Sequence, residues 1–185
     1  MSRAVSSPLM NIHQIQMAYD KLQDRILLRV STSERTEFRF WMTRRYVKLL
    51  WEMLIKMLER DPLAAVHADD KVRRTMMGFQ HQDAVRAADF GKQYDEDTNA
   101  LPLGADPVLL SRLTAKQNAK GQQTLCVYPE KGQGIDIAVN AELLHMLSKL
   151  VVDAVAQTDW DFKLAIDPDF AMPPQAQGIP PHKLN

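Results

Sequence analysis

The clearest chemical pattern in this sequence is a set of arginines interleaved with a tryptophan. Its members are Arg25, Arg29, Arg39, Trp41, Arg44 and Arg45. If residues 25–30 and 37–42 are strands, alternation places the first four on one face of a sheet, and the last two open the helix that follows. Cations for phosphates beside a ring for base stacking are what a single-strand binding surface needs. The six residues are therefore a candidate site for single-stranded DNA or RNA.

A simpler interpretation treats the same arginines as a solvated strand face, with Arg39 paired to Asp136 in the second half of the chain. The formal net charge is zero, from 23 Lys and Arg against 23 Asp and Glu, which does not favour a nucleic-acid binder. The acidic run Asp95-Glu96-Asp97 could also cover the face. Trp41 is, by residue type, more often a core or interface residue than a stacking platform.

Other reactive side chains match no known site. Histidines lie among aspartates in the middle of the chain, at His67, Asp69, Asp70, His81 and Asp83. Their spacing fits no metal-ligand template, so we predict no metal and no cofactor. Cys126 has no base nearby in sequence and is expected to be a buried, inert thiol. His145 falls on a polar helix stripe and needs no role. The sequence has no nucleophile elbow, HExxH or paired-cysteine motif, so we do not expect an enzyme.

A repeated pattern must position these residues. Residues 38–58 change from period-2 alternation to helical periodicity, and residues 135–155 repeat the change at an offset of 97. Thr43 and Asn140, both favoured N-caps, occupy the same place in the two copies. Both helices carry a polar stripe at four matching positions and are otherwise apolar, so each should pack on its own sheet and against the other helix. The pattern predicts strands at 11–19, 25–30 and 37–42 before a helix at 44–60, then strands at 108–116, 122–128 and 135–139 before a helix at 141–157.

The predicted fold is α+β, with internally duplicated β-β-β-α units, antiparallel sheets, two packed helices, a pseudo-twofold axis and a helical connector. The ranges are a disordered leader at 1–10, the first unit at 11–60, a helical connector and acidic linker at 61–107, the second unit at 108–158 and a C-terminal tail at 159–185.

Composition is that of a soluble globular protein, with 45% hydrophobic and 25% charged residues. No apolar run approaches the ~20 residues of a membrane helix, and Met1 to Pro8 lack a hydrophobic signal core. The single Cys126 fits a reducing compartment. These observations favour a cytoplasmic protein that does not bind membranes.

Two short meanders, each followed by a helix, resemble the Whirly and PUR-repeat single-strand-binding folds in topology. Those folds commonly have four strands per unit where three are predicted here, and none of their motif residues carries over. The resemblance implies paired sheets that hold nucleic acid and helices that pack together. The whole chain is also similar to a bacterial protein family of unknown function.

We expect a non-enzymatic interaction or scaffold protein that binds a protein partner or self-associates. The reasons are neutral charge, absent catalytic motifs, and apolar Leu27, Trp41 and Ala138 on otherwise outward strand faces. The alternative is single-stranded nucleic-acid binding through the basic, aromatic face of the first sheet.

Overall fold

Six strands and three helices make up the part of the chain that the computed structural model describes, residues 11–61, 69–88, 93–98 and 100–166. In chain order they are β1 (Ile12–Asp20), β2 (Arg25–Thr32), β3 (Glu37–Met42), α1 (Arg44–Glu59), α2 (Asp70–Ala87), β4 (Val108–Gln117), β5 (Gln123–Pro129), β6 (Ile135–Val139) and α3 (Ala141–Ala156). The mixed α+β class is as predicted. The predicted leader, His67 and the tail beyond residue 166 lie outside the described residues.

All six strands form one sheet in the order β1-β2-β3-β4-β5-β6. Every neighbouring pair is antiparallel except the central one, where β3 and β4 run parallel and pair Phe40 with Val108 and Trp41 with Leu109. The expectation of separate antiparallel sheets was therefore wrong. The connection through α2 is long enough for a parallel crossover, and joining β3 to β4 satisfies backbone groups that two separate sheets would leave as open edges.

The two halves have closely matching geometry. Helices α1 and α3 both contain 16 residues, and their N-cap residues, Thr43 and Asn140, stand 97 positions apart. Each cap side chain accepts a hydrogen bond from the backbone amide three residues later. Strands β2 and β3 have the same pairing register as β5 and β6 at that offset. Register irregularities also occur at corresponding places, early in β1 and early in β4.

Helices α1 and α3 lie on one face of the sheet and pack against each other. Buried side chains at this interface include Phe40, Leu54, Ile137 and Leu144, and each fully buried large side chain contributes about 1.5–3 kcal/mol. Each helix also crosses into the other half, since α1 contacts β4 and α3 contacts β1. The expectation that each helix packs on its own sheet was therefore wrong, because one continuous sheet offers each helix strands from both halves.

Helix α2 forms a further layer, packed mainly on α3. It begins at the N-cap Asp69, whose carboxylate accepts hydrogen bonds from the amides of Lys71 and Val72. Because α2 covers part of α3, it buries His145, which the sequence assigned to a polar stripe. No helix among the described residues is long and apolar enough to span a membrane.

Candidate functional site

The basic face predicted from the sequence is built around a buried ion pair. Glu37 on β3 is only 1% exposed. Its carboxylate accepts hydrogen bonds from Arg29 Nε at 3.0 Å and from Arg29 Nη2 at 3.1 Å. Arg39 and the hydroxyl of Thr98 also donate to it. Burial alone raises the pKa of Glu37, but these hydrogen bonds outweigh burial and lower the pKa to about 2.

Residues 93–98, which we name the acidic segment, lie over this ion pair. Glu96 accepts from Arg29 Nη1 at 2.7 Å and from Nη2 at 2.6 Å. The ring of Tyr94 lies 4.1 Å from the Arg29 guanidinium, within cation–π distance. Arg35 forms an ion pair with Asp97. The acidic segment therefore occupies, with carboxylates and a ring, the position that phosphates and a base would need.

The six residues of the candidate nucleic-acid site are not brought together as one free cationic surface. Arg29 is buried. Arg39 is half-buried, and its guanidinium donates hydrogen bonds to Glu37 and to the backbone carbonyl of Ala105. Arg39 is thus not paired with Asp136, because Glu37 is nearer on its own strand. Arg25 and Trp41 are half-buried, and Arg44 and Arg45 are exposed on α1. Arg44 forms an ion pair with Asp161.

An apolar row does cross the same outer face. Leu27 pairs with Trp41 across β2 and β3, and Trp41 pairs with Leu109 across β3 and β4. Leu109 is 44% exposed. The sequence indicated Leu27 and Trp41 as outward residues but not Leu109, because it did not predict the parallel β3–β4 pair.

The corresponding place in the second half holds a different cluster. Cys126 stands opposite Asp136 in the register of β5 and β6. Tyr128 donates to Asp136 at 2.8 Å, and Lys116 lies 3.6 Å from the same carboxylate. Cys126 is buried, and burial followed by its hydrogen bond with Asp136 raises the pKa of the thiol. This arrangement holds the thiol protonated, which disfavours nucleophilic or metal-binding use.

Two histidines meet where α2 packs on α3. The ring centroids of His81 and His145 are 5.5 Å apart, and neither Nδ1 atom has a hydrogen-bond partner among the described residues. Burial, with a smaller contribution from His81, lowers the pKa of His145 to about 4. Within residues 11–61, 69–88, 93–98 and 100–166, no three His, Cys, Asp or Glu side chains are grouped to hold a metal ion.

A large cavity borders both edge strands of the sheet, β1 and β6. We call it the edge gap. It has a volume of about 1030 Å³ and is lined by β1 from Ile12 to Met17, by the last two residues of β6, Ala138 and Val139, and by α3 as far as Leu150. Residues 120–124, between β4 and β5 and at the start of β5, and Tyr94 of the acidic segment also line it. Among the described residues, each edge strand has a hydrogen-bonded neighbour on one side only.

The lining of the edge gap is amphipathic. Its inner wall is apolar and consists of Ile15, Met17, Leu143, Met146, Leu147 and Leu150. Gln14 and Gln16 of β1 and Thr124 of β5 face the outer side. Charged residues of both signs border the gap, including Arg60, Asp61 and Lys120. The edge gap therefore combines an apolar inner wall with two backbone edges that no other described strand pairs with, and its mixed charges do not favour a ligand of either sign.

The sequence did not reveal the edge gap. Every strand that borders it was predicted, but two separate sheets have four edges, and nothing in their periodicity shows which of those edges approach each other. Ala138, identified from the sequence as an outward apolar residue, lies at the gap.

Comparison with known proteins finds no matching family model, no matching curated protein and no matching solved structure.

Proposed function

We propose that this chain is a non-enzymatic interaction protein that binds a polypeptide, either a partner or another copy of itself, through the edge gap. The observation that carries the proposal is one cavity with an apolar inner wall that borders two strand edges, neither of which has a second strand neighbour in the described part of the chain. Open edges present rows of unsatisfied amides and carbonyls, which are a template for another chain. A volume of about 1030 Å³ is at the upper end for binding pockets, which run from about 300 to about 1000 Å³.

The alternative function, single-stranded nucleic-acid binding by the first sheet, has weaker support. The arginine at the centre of that face, Arg29, donates to two carboxylates and lies under Tyr94. A phosphate would have to displace Glu96 to reach it. The net charge of zero gives no long-range attraction to compensate for that displacement.

We also infer that the two halves are an internal duplication related by a pseudo-twofold axis. Equal helix lengths, equivalent caps and matching strand registers at one sequence offset support this inference. So does the reciprocal packing of α1 on β4 and of α3 on β1. A cytoplasmic location belongs to the same proposal, since the lone Cys126 suits a reducing compartment.

The test is a pull-down from native lysate with the tagged chain and two matched variants. Ala138→Arg puts a long cation into the edge gap. Leu22→Arg puts the same residue on the β1–β2 turn, where Leu22 is 97% exposed. Both sites are exposed, so both variants should fold. Wild type and Leu22→Arg should capture the same partner, or self-associate in sedimentation velocity, whereas Ala138→Arg should not.

Two results would overturn the proposal. One is a chain that neither self-associates nor captures any partner. The other is a partner that all three proteins capture equally, because binding would then occur away from the edge gap. In that case the exposed apolar residues of α2, Val72, Met76 and Phe79, would be the next surface to substitute.

A further inference from the structure

We propose that the edge gap takes a single extended polypeptide segment as a seventh strand, antiparallel to both β1 and β6, which closes the sheet into a ring. This inference rests on the proposed function and specifies what the partner presents: an extended backbone of about six residues with apolar side chains on one face.

The strand directions determine what can join the two edges. Following the sheet from β1, the pairs are antiparallel, antiparallel, parallel, antiparallel and antiparallel. Strands β1, β3, β4 and β6 therefore point one way, and β2 and β5 point the other way. A strand between β1 and β6 can be antiparallel to both at once. Antiparallel pairing is the more stable and the more frequent arrangement.

The relation between the halves explains why the opening lies here. In a closed sheet the two halves would be neighbours at two places. At the first, β3 lies beside β4, and at the second, β6 would lie beside β1. The first junction is made by direct parallel pairing of Phe40 with Val108 and Trp41 with Leu109. The strands that the structure describes do not make the second junction, and the edge gap occupies its place. The same architecture thus has one closed junction and one open junction.

The size of the gap fits a strand. A strand rises about 3.3 Å per residue, is spaced about 4.8 Å from its neighbours and has a layer thickness of about 10 Å, which gives about 160 Å³ per residue. At that volume a cavity of about 1030 Å³ accommodates roughly six residues. Direct pairing of β6 with β1 would instead leave no such space.

The lining specifies the side chains of the occupant. Alternate residues of an inserted strand would point inward to Met17, Leu147 and Leu150, and the rest would point outward beside Gln14 and Gln16. A segment with alternating apolar and polar residues satisfies both sides. The mixed signs of the bordering charges make a neutral segment suitable as a probe.

The probe is a capped six-residue peptide of alternating threonine and valine. Its control is the same peptide with two backbone amides N-methylated along one edge, which keeps the side chains and removes hydrogen bonds. Fluorescence titration should show saturable binding to the full chain. N-methylation should weaken binding by about tenfold or more, since each lost hydrogen bond costs a factor of roughly 2–12. Ala138→Arg should also abolish binding, while Leu22→Arg should not.

Hydrogen exchange locates the bound peptide. Amide exchange with mass spectrometry should show slower exchange in residues 12–17 of β1 and in residues 138–139 at the end of β6, at both edges together. Protection at one edge only, protection around Leu27, Trp41 and Leu109 instead, equal affinity for the N-methylated peptide, or no saturable binding at millimolar peptide would each overturn the inference. Edge protection in the free chain that depends on protein concentration would show a second copy in the gap and would overturn the single-strand version.

The two proposals fail separately. If Ala138→Arg loses a captured partner while the peptide neither binds nor protects the edges, the edge gap is still the binding site but its ligand is not an added strand. If the peptide protects both edges but capture from lysate is unaffected by Ala138→Arg, strand insertion stands and the proposed function fails. Circular dichroism and the denaturation midpoint of each variant establish that it is folded.

Discussion

Arg29 and Glu37 meet at two points, with Nε 3.0 Å from Oε1 and Nη2 3.1 Å from Oε2, diagonally across β2 and β3. The remaining donors of Arg29 go to Glu96 in the acidic segment and to Gln16 of β1, whose Oε1 lies 3.3 Å from Nη1. One guanidinium therefore joins two strands to the chain that connects the halves. Hydrogen bonding to Glu96 is the main reason that the pKa of Arg29 is raised.

Replacing Glu37 should strongly destabilise the fold. In Glu37→Gln the buried Arg29 loses one of its two carboxylates, and Arg39 loses its ion-pair partner. Breaking a buried ion pair on one side costs about 3–5 kcal/mol, and because Glu96 still compensates Arg29 we expect about 3 kcal/mol. Urea denaturation at pH 7 measures the loss.

The matched control for that prediction is Glu96→Gln. Glu96 contacts the same guanidinium, but its side chain is largely exposed. Solvent screens such pairs, so the loss of stability should be much smaller. An equal loss in the two variants would contradict the view that burial of Glu37 makes its ion pair the stronger determinant of stability.

Acid should destabilise the protein through His145 in a definite pH range. The folded-state pKa is about 4 and the ordinary value is 6.5. Between these values the unfolded chain binds a proton that the folded chain does not, so stability falls as pH falls from about 6.5 to about 4. The contribution is about 3 kcal/mol at 1.36 kcal/mol per pKa unit. Glu37 adds a further loss, between its ordinary pKa of 4.5 and about 2.

Substitution separates the two groups. His145→Leu should flatten the dependence of unfolding free energy on pH between 6.5 and 4 and leave the loss below pH 4.5 that Glu37 causes. His13→Leu is the control, because His13 is exposed on β1. Parallel stability curves for wild type and His145→Leu over that interval would show that the imidazole does not carry the effect.

Local periodicity was sufficient to predict the strands and helices of both halves. Strand β3 and strand β6 have the predicted bounds, and the caps at Thr43 and Asn140 start the helices where expected. These features depend on residues near one another in sequence, such as alternating apolar side chains and a capping oxygen followed by an apolar stripe.

The parts that the sequence did not predict depend on distant pairing. Nothing local to Phe40 or Val108 indicates that they are neighbours, so the single sheet was missed. The burial of His145 depends on where α2 packs, and α2 has no strong apolar face of its own to indicate it. The acidic segment was recognised as a possible cover for Arg29, but its contacts could be assigned only once the strands were placed.

Cys126 should react slowly with thiol reagents in the native protein. The residue is buried, and burial followed by the hydrogen bond with Asp136 raises its pKa, so little thiolate is present near pH 8. Reaction requires local opening, and an opening free energy of only about 1.4 kcal/mol slows it about tenfold. Reaction with Ellman's reagent, native against urea-unfolded, measures the ratio. Equal rates would show an accessible thiol.

The nucleic-acid alternative predicts behaviour that we do not expect to observe. A binding face would give affinity for single strands that falls by about 0.7 log unit per contacted phosphate for each log unit of salt. Trp41→Ala would then cost about 1–3 kcal/mol if a base stacks there. Because the acidic segment occupies Arg29 and the net charge is zero, we expect no binding of a labelled oligonucleotide even at low salt.

The choice of variants decides whether that titration is informative. Arg29→Glu would bring a third carboxylate beside Glu37 and Glu96 and would disturb the fold whether or not nucleic acid binds. Arg25→Glu changes the charge of the same face without touching this ion pair, and Trp41→Ala removes the ring. Salt-dependent binding by wild type that both substitutions weaken, with their denaturation midpoints retained, would restore the alternative. It would also require the acidic segment to leave Arg29 when nucleic acid binds, since the guanidinium cannot hold Glu96 and a phosphate through the same donors.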